Sequence, residues 1–166
     1  MNDGAKRITR LGLLTALALI LGYIESLFPI APGLPGIKPG LSNCAVLYAL
    51  CLIRFSDAAL LLLLKVTLSS LLFGSPVSFF YSLAGGTLSL LLMYALRRLP
   101  GVSVVTLSIA GATAHNLAQL GVATLLMGLR PTLVYAPVLL LSSFATGLIT
   151  GLIARTILRY IEKENR

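Results

Sequence analysis

Five side chains lie where an apolar chain should not spend polarity. His115, the only histidine of the sequence, sits in Gly111-Ala-Thr-Ala-His-Asn-Leu-Ala-Gln119, inside an apolar run from about Val102 to Met127. At 1.5 Å per helical residue it lies roughly 20 Å from either end of that run, near the midplane if the run crosses a bilayer. His115 and Gln119 are spaced i, i+4 and Asn116 and Gln119 i, i+3, so the three share a helix face. Such a stripe is either interhelical glue, worth about 0.6 to 2 kcal/mol per hydrogen bond in membrane helices, or the lining of a binding site. Lys65 lies at the middle of a second apolar stretch, Ala58 to Phe73. An ammonium that deep costs several kcal/mol unless paired or hydrated. Glu25 is the acidic residue nearest that depth, so an ion pair, or an anionic or carbonyl-rich ligand that shares or replaces it, is expected there.

The elements that must position these groups follow from composition. Hydrophobic residues make up 57% of the 166 and charged residues 11%, with a mean hydropathy of +0.97; soluble domains carry about a quarter charged residues. The expected fold is an all-α integral membrane protein, a bundle of six short transmembrane helices forming one domain over 1–166. Spans are expected at about 8–28, 41–53, 58–73, 77–96, 102–127 and 132–154. Pro29 to Gly40 contains four prolines and cannot be helical. Arg130-Pro131 is expected to turn the chain between spans five and six, and a charged tail follows Ala154. Lys6, Arg7 and Arg10 before an apolar run resemble a signal peptide, but no small-x-small cleavage site follows, and Glu25 to Pro29 argues for a retained first span. Cys44 and Cys51, about 10 Å apart along one helix, are too far apart to bridge.

The net charge of +8 does not indicate nucleic acid, because the basic residues fall at the ends of apolar runs, where they report topology. Lys6, Arg7, Arg10, Arg54, Arg97, Arg98, Arg155, Arg159, Lys163 and Arg166 lie on the side of the termini; only Lys38 and Arg130 lie opposite. By the positive-inside rule both termini are cytoplasmic, in a multi-pass protein of the cell membrane.

That orientation puts Glu25, Lys38, Asn43, Tyr81, Ser82, Gln119 and Tyr135 in the outer half, with His115 and Lys65 near the middle. Plainer roles exist for several of them. Tyr81 and Tyr135 suit interfacial anchors, Glu25 and Lys38 a surface pair, and Asn43 a cap on the second helix. Gly85 and Gly86 allow a ligand or a neighbouring helix to approach the backbone. Glu25, Lys38, Asn43, Lys65, Tyr81, Ser82, Gly85, Gly86, His115, Asn116 and Gln119 form the expected substrate-binding set. Gly12 with Ala16, Ala18 with Gly22, and Gly147 with Gly151 have helix-pairing spacing, inside the bundle or toward a partner. No phosphate-binding glycine loop is present, so active transport needs a separate motor. No metal or cofactor is expected.

The segments Tyr23-Ile-Glu-Ser26, Pro35-Gly-Ile-Lys38, Leu72-Phe-Gly74, Ser78 to Gly86 and Gly111 to Gln119 resemble the Gx transporter family, also labelled heptaprenyl diphosphate synthase component I. The similarity covers nearly the whole chain, and the family in turn resembles the substrate-binding S components of energy-coupling factor (ECF) transporters. The resemblance implies six helices, cytoplasmic termini, a long first loop over an outward-facing ligand site, and a first helix that docks on a transmembrane coupling subunit, with two ATPases supplying energy. The usual dock has two alanines four apart; Gly12 and Ala16 are the nearest match here. The implied ligand is a vitamin-like molecule, a flavin, or a prenyl or quinone precursor. A catalytic synthase role conflicts with the residues, since prenyl elongation needs clustered aspartates to hold magnesium on a diphosphate and this chain has only Asp3 and Asp57, far apart. The chain is therefore read as non-catalytic, with a membrane accessory subunit of heptaprenyl diphosphate or quinone synthesis as the alternative to transport.

Overall fold

The structure, a computed structural model, describes residues 2–27 and 40–164. Among these the chain is all helical: α1 (Asp3–Leu27), α2 (Leu41–Leu52), α3 (Phe55–Leu72), α4 (Pro76–Leu96), α5 (Val104–Met127) and α6 (Leu129–Glu164). Four of them, α1, α3, α4 and α6, are long and apolar enough to cross a membrane. At 24 residues α5 has the length, but its mid-helix polar residues dilute its hydropathy. The 12 residues of α2 span only about 18 Å.

Burial is inverted relative to a water-soluble protein. Glu25, Asp57 and Lys65 are 4%, 1% and 9% exposed, whereas Leu13, Leu71, Leu125 and Leu141 are 67% or more exposed. In water, unpaired charges are the last groups to be buried and leucines among the first; a leucine exterior around a polar interior suits a lipid solvent.

Helix boundaries differ from the hydropathy reading at three places. α1 begins at Asp3 rather than about Ile8, because Ala5, Lys6 and Arg7 are good helix formers that continue the helix past the apolar segment. α6 continues ten residues beyond Ala154 for the same reason, and Leu158 of that extension is buried. Arg130-Pro131 is not a turn. Gly128, with φ +87°, turns the chain, and Pro131 lies in the first turn of α6, where a helix has no use for the missing N–H. Pro76 occupies the equivalent place in α4, behind a Ser75–Ser78 capping box.

α5 packs between α4 and α6 in the closest pairings of the bundle. Glycines make this possible. A Cβ on Gly147 would lie 2.7 Å from the Ile109 backbone and one on Gly151 2.9 Å from the Val105 backbone, so the expected Gly147/Gly151 ridge is a seam against α5. Asn116 and Thr113 tie the same seam by hydrogen bonds to the Leu139 carbonyl (2.8 Å) and the Ser143 hydroxyl (3.3 Å). Ala18 of α1 is fully buried, and Gly22 lies beside Ser42 and Phe73. Gly12 and Ala16 face outward, with nothing near the Gly12 backbone.

Candidate functional site

All six helices line one cavity of about 120 Å³ in the middle of the bundle. Seven of the eleven residues expected to bind substrate meet there: Glu25 from α1, Asn43 from α2, Lys65 from α3, Ser82 from α4, and His115, Asn116 and Gln119 from α5. At roughly 10 to 15 Å³ per water, there is room for several water-sized groups.

The polar groups in the wall are held in specific ways. The Lys65 ammonium donates to Asn43 Oδ1 at 2.6 Å, so a buried charge is received by a side-chain carbonyl from the adjacent helix. Glu25 accepts the Leu41 N–H at the start of α2. This corrects the capping role considered for Asn43: the α2 N-cap is Gly40, with φ +80° and no side-chain cap of its own, and the Glu25 carboxyl supplies the acceptor while Asn43 turns to Lys65. A carboxyl group serves well at a helix N-terminus, whose N–H groups carry partial positive charge.

On α5, Ser108, Ala112, His115 and Gln119 repeat at i, i+4, i+7, i+11 and form a continuous wall. Asn116 serves both readings of the stripe: it lines the cavity, and its amide N–H joins α5 to α6. Gln119 is 6% exposed, and its Oε1 has no hydrogen-bond partner among the described residues. A buried acceptor left without a donor costs about 1 to 3 kcal/mol, which a ligand N–H or O–H in the cavity can recover.

Three of the expected residues stand outside this lining. Gly85 lies behind it: a Cβ there would come within 2.8 Å of the His115 ring, so the glycine lets the imidazole lie against α4. Gly86 gives room to a Leu62 methyl in the same manner. Tyr81 and Tyr135 are buried with Ala123 and Leu139 in a separate cluster, so neither is an anchor at the bundle perimeter. The Tyr135 hydroxyl also lacks a partner among the described residues. Lys38 lies outside the described residues.

The cavity also contains hydroxyl groups that sequence reasoning did not select, among them Thr146 and Thr150 on α6, Ser89 on α4 and Ser108 on α5. Their signal was the i, i+4 spacing of Thr146 and Thr150 around Gly147. Cys44 and Cys51 are free thiols.

Apolar helices with leucine exteriors, arranged around a small polar cavity, define a multi-pass membrane protein. The family model for heptaprenyl diphosphate synthase component I matches residues 14–157. The chain belongs to that family. No curated protein and no solved structure matches it.

Proposed function

We propose that this chain is the membrane-embedded substrate-binding component of an ECF-type transporter, capturing a small molecule from the outer side for ATP-driven uptake by a separate coupling module. The observation that carries the proposal is the meeting of Glu25, Asn43, Lys65, Ser82, His115, Asn116 and Gln119, from five helices, in one cavity of an otherwise apolar bundle. Polar groups needed only to pair helices could be spread along many separate contacts. Here they face one space.

In this reading Lys65 attracts an anionic or carbonyl group of the ligand, Gln119 Oε1 accepts a hydrogen bond from it, and His115, backed by Gly85, closes one wall. Glu25, on α1, is joined to the start of α2 at the edge of the cavity. The chain is non-catalytic and both termini are cytoplasmic. The outward-facing Gly12 and Ala16 dock α1 on the coupling subunit, since small residues let helix backbones come close in lipid.

The family description favours a second reading, a non-catalytic membrane subunit that serves heptaprenyl diphosphate synthesis. Copurification separates the two. Transport predicts capture of a membrane coupling subunit with two ATPases, lost in Ala16→Leu without loss of ligand binding. The accessory role predicts capture of a soluble, aspartate-rich synthase, and that result in place of the ATPases would overturn the transport proposal.

A further inference from the structure

A second polar recess lies about 27 Å along α1 from Glu25, at the end of the bundle where α1 and α3 begin. It is a cleft of about 510 Å³ lined by Lys6, Arg7, Arg10 and Leu11 of α1, with Ile53, Arg54 and Asp57 at the α2–α3 corner. Lys6, Arg7 and Arg10 share a face of α1 through their i, i+3 and i, i+4 spacing.

Four cationic side chains line the cleft with one carboxyl group, and that group is already engaged. Asp57 is 1% exposed and accepts from Arg7 Nε at 2.7 Å and from Arg7 Nη2. The buried acid thus fixes one guanidinium in the wall, and the guanidinium groups of Arg10 and Arg54 stand beside it. Arg10 and Arg54 are exposed. The α3 N-terminus at Arg54 has no side-chain cap, so its first-turn N–H groups add to the positive potential.

We propose that this cleft binds the phosphate of an anionic phospholipid headgroup. Guanidinium groups match phosphate oxygens in pairs, and basic recesses at the ends of membrane helices suit anionic headgroups. The apolar surroundings favour a lipid over a free phosphate. Leu11 and Ile53 form part of the cleft wall, and Ile8 and Leu13, 74% and 67% exposed, stand on the two flanks of the basic face of α1, where acyl chains can lie.

Native mass spectrometry of the full chain in mild detergent tests this, with phosphatidylglycerol, phosphatidylcholine and inorganic phosphate titrated separately. Phosphatidylglycerol is expected to bind one per chain and at least tenfold more tightly than phosphatidylcholine. At about fivefold per cation, Arg54→Gln should weaken it about fivefold and Arg10→Gln/Arg54→Gln about 25-fold, while Arg159→Gln leaves it unchanged. The single variant retains Arg10, and both leave the Arg7–Asp57 pair intact, so each should remain folded. Parent-like affinity in the double variant, equal affinity for the two lipids, or saturation by inorganic phosphate without phosphatidylglycerol binding would each overturn the assignment.

Discussion

The two flanks of the central cavity are built differently. On one, α5 and α6 approach backbone to backbone at Gly147 and Gly151, Gly111 of α5 gives room to the Met93 side chain of α4, and Asn116 and Thr113 fasten the α5–α6 seam. On the other, α1, α2 and α3 meet more sparsely, and their polar contacts at the cavity include the Lys65–Asn43 and Glu25–Leu41 hydrogen bonds. The close-packed flank presents neutral hydrogen-bonding groups, and the looser flank presents the charges. A solute admitted between them would find its donors and acceptors on a rigid wall and its charge partner on the wall better able to move. Glycine seams hold helices by packing, whereas a buried charge is held by few bonds and responds to any new partner.

The largest effect should come from attacking the rigid flank. Gly147→Leu drives a side chain into the Ile109 backbone, which cannot rotate away, and should cost about 3 kcal/mol or more. Thermal unfolding in detergent should show a fall of many degrees, and Gly12→Leu on the open face of α1 almost none. Equal losses would remove the contrast between the flanks.

Next comes the charge of the looser flank. Lys65→Met should weaken ligand binding roughly 10- to 150-fold, the worth of a hydrogen bond to a charged group, with the fold retained. Equilibrium binding by the parent and the variant measures this, and unchanged affinity would remove Lys65 from the site.

Gln119→Leu separates binding from stability in opposite directions. It should raise stability by about 1 kcal/mol, by deleting a buried acceptor without a donor, and weaken the ligand about fivefold. A variant that is less stable and binds as tightly as the parent would mean that Gln119 serves packing alone.

The smallest expected difference lies between neighbouring glycines. Gly85→Ala must displace the His115 ring, whereas Gly86→Ala meets a Leu62 methyl that can rotate. Affinity should therefore fall several-fold in the first and under twofold in the second, and the reverse order would place the ligand away from His115.

Much of this was legible in the sequence because lipid makes polarity expensive. A lysine, a histidine and an asparagine deep in apolar runs leave few places to go, and all three line one cavity. What stayed hidden depended on tertiary contacts. Lys65 donates to Asn43, and no spacing in one chain segment announces that Asn43 sits beside α3. Thr146 and Thr150 escaped notice because a hydroxyl can bond its own helix backbone, so threonine on a membrane helix carries little information about what it faces. The ends of α1 and α6 were misplaced because hydropathy reports the apolar segment, while helical hydrogen bonding continues through lysine, arginine and glutamate without regard to it.

The most direct test is to purify the parent chain and Lys65→Met in mild detergent, extract each under denaturing conditions, and quantify bound small molecules by mass spectrometry. A polar molecule with an acidic or hydrogen-bonding head, near one per chain in the parent and strongly depleted in Lys65→Met, is the predicted result. Equal retention of that molecule by both proteins would contradict solute capture at this cavity.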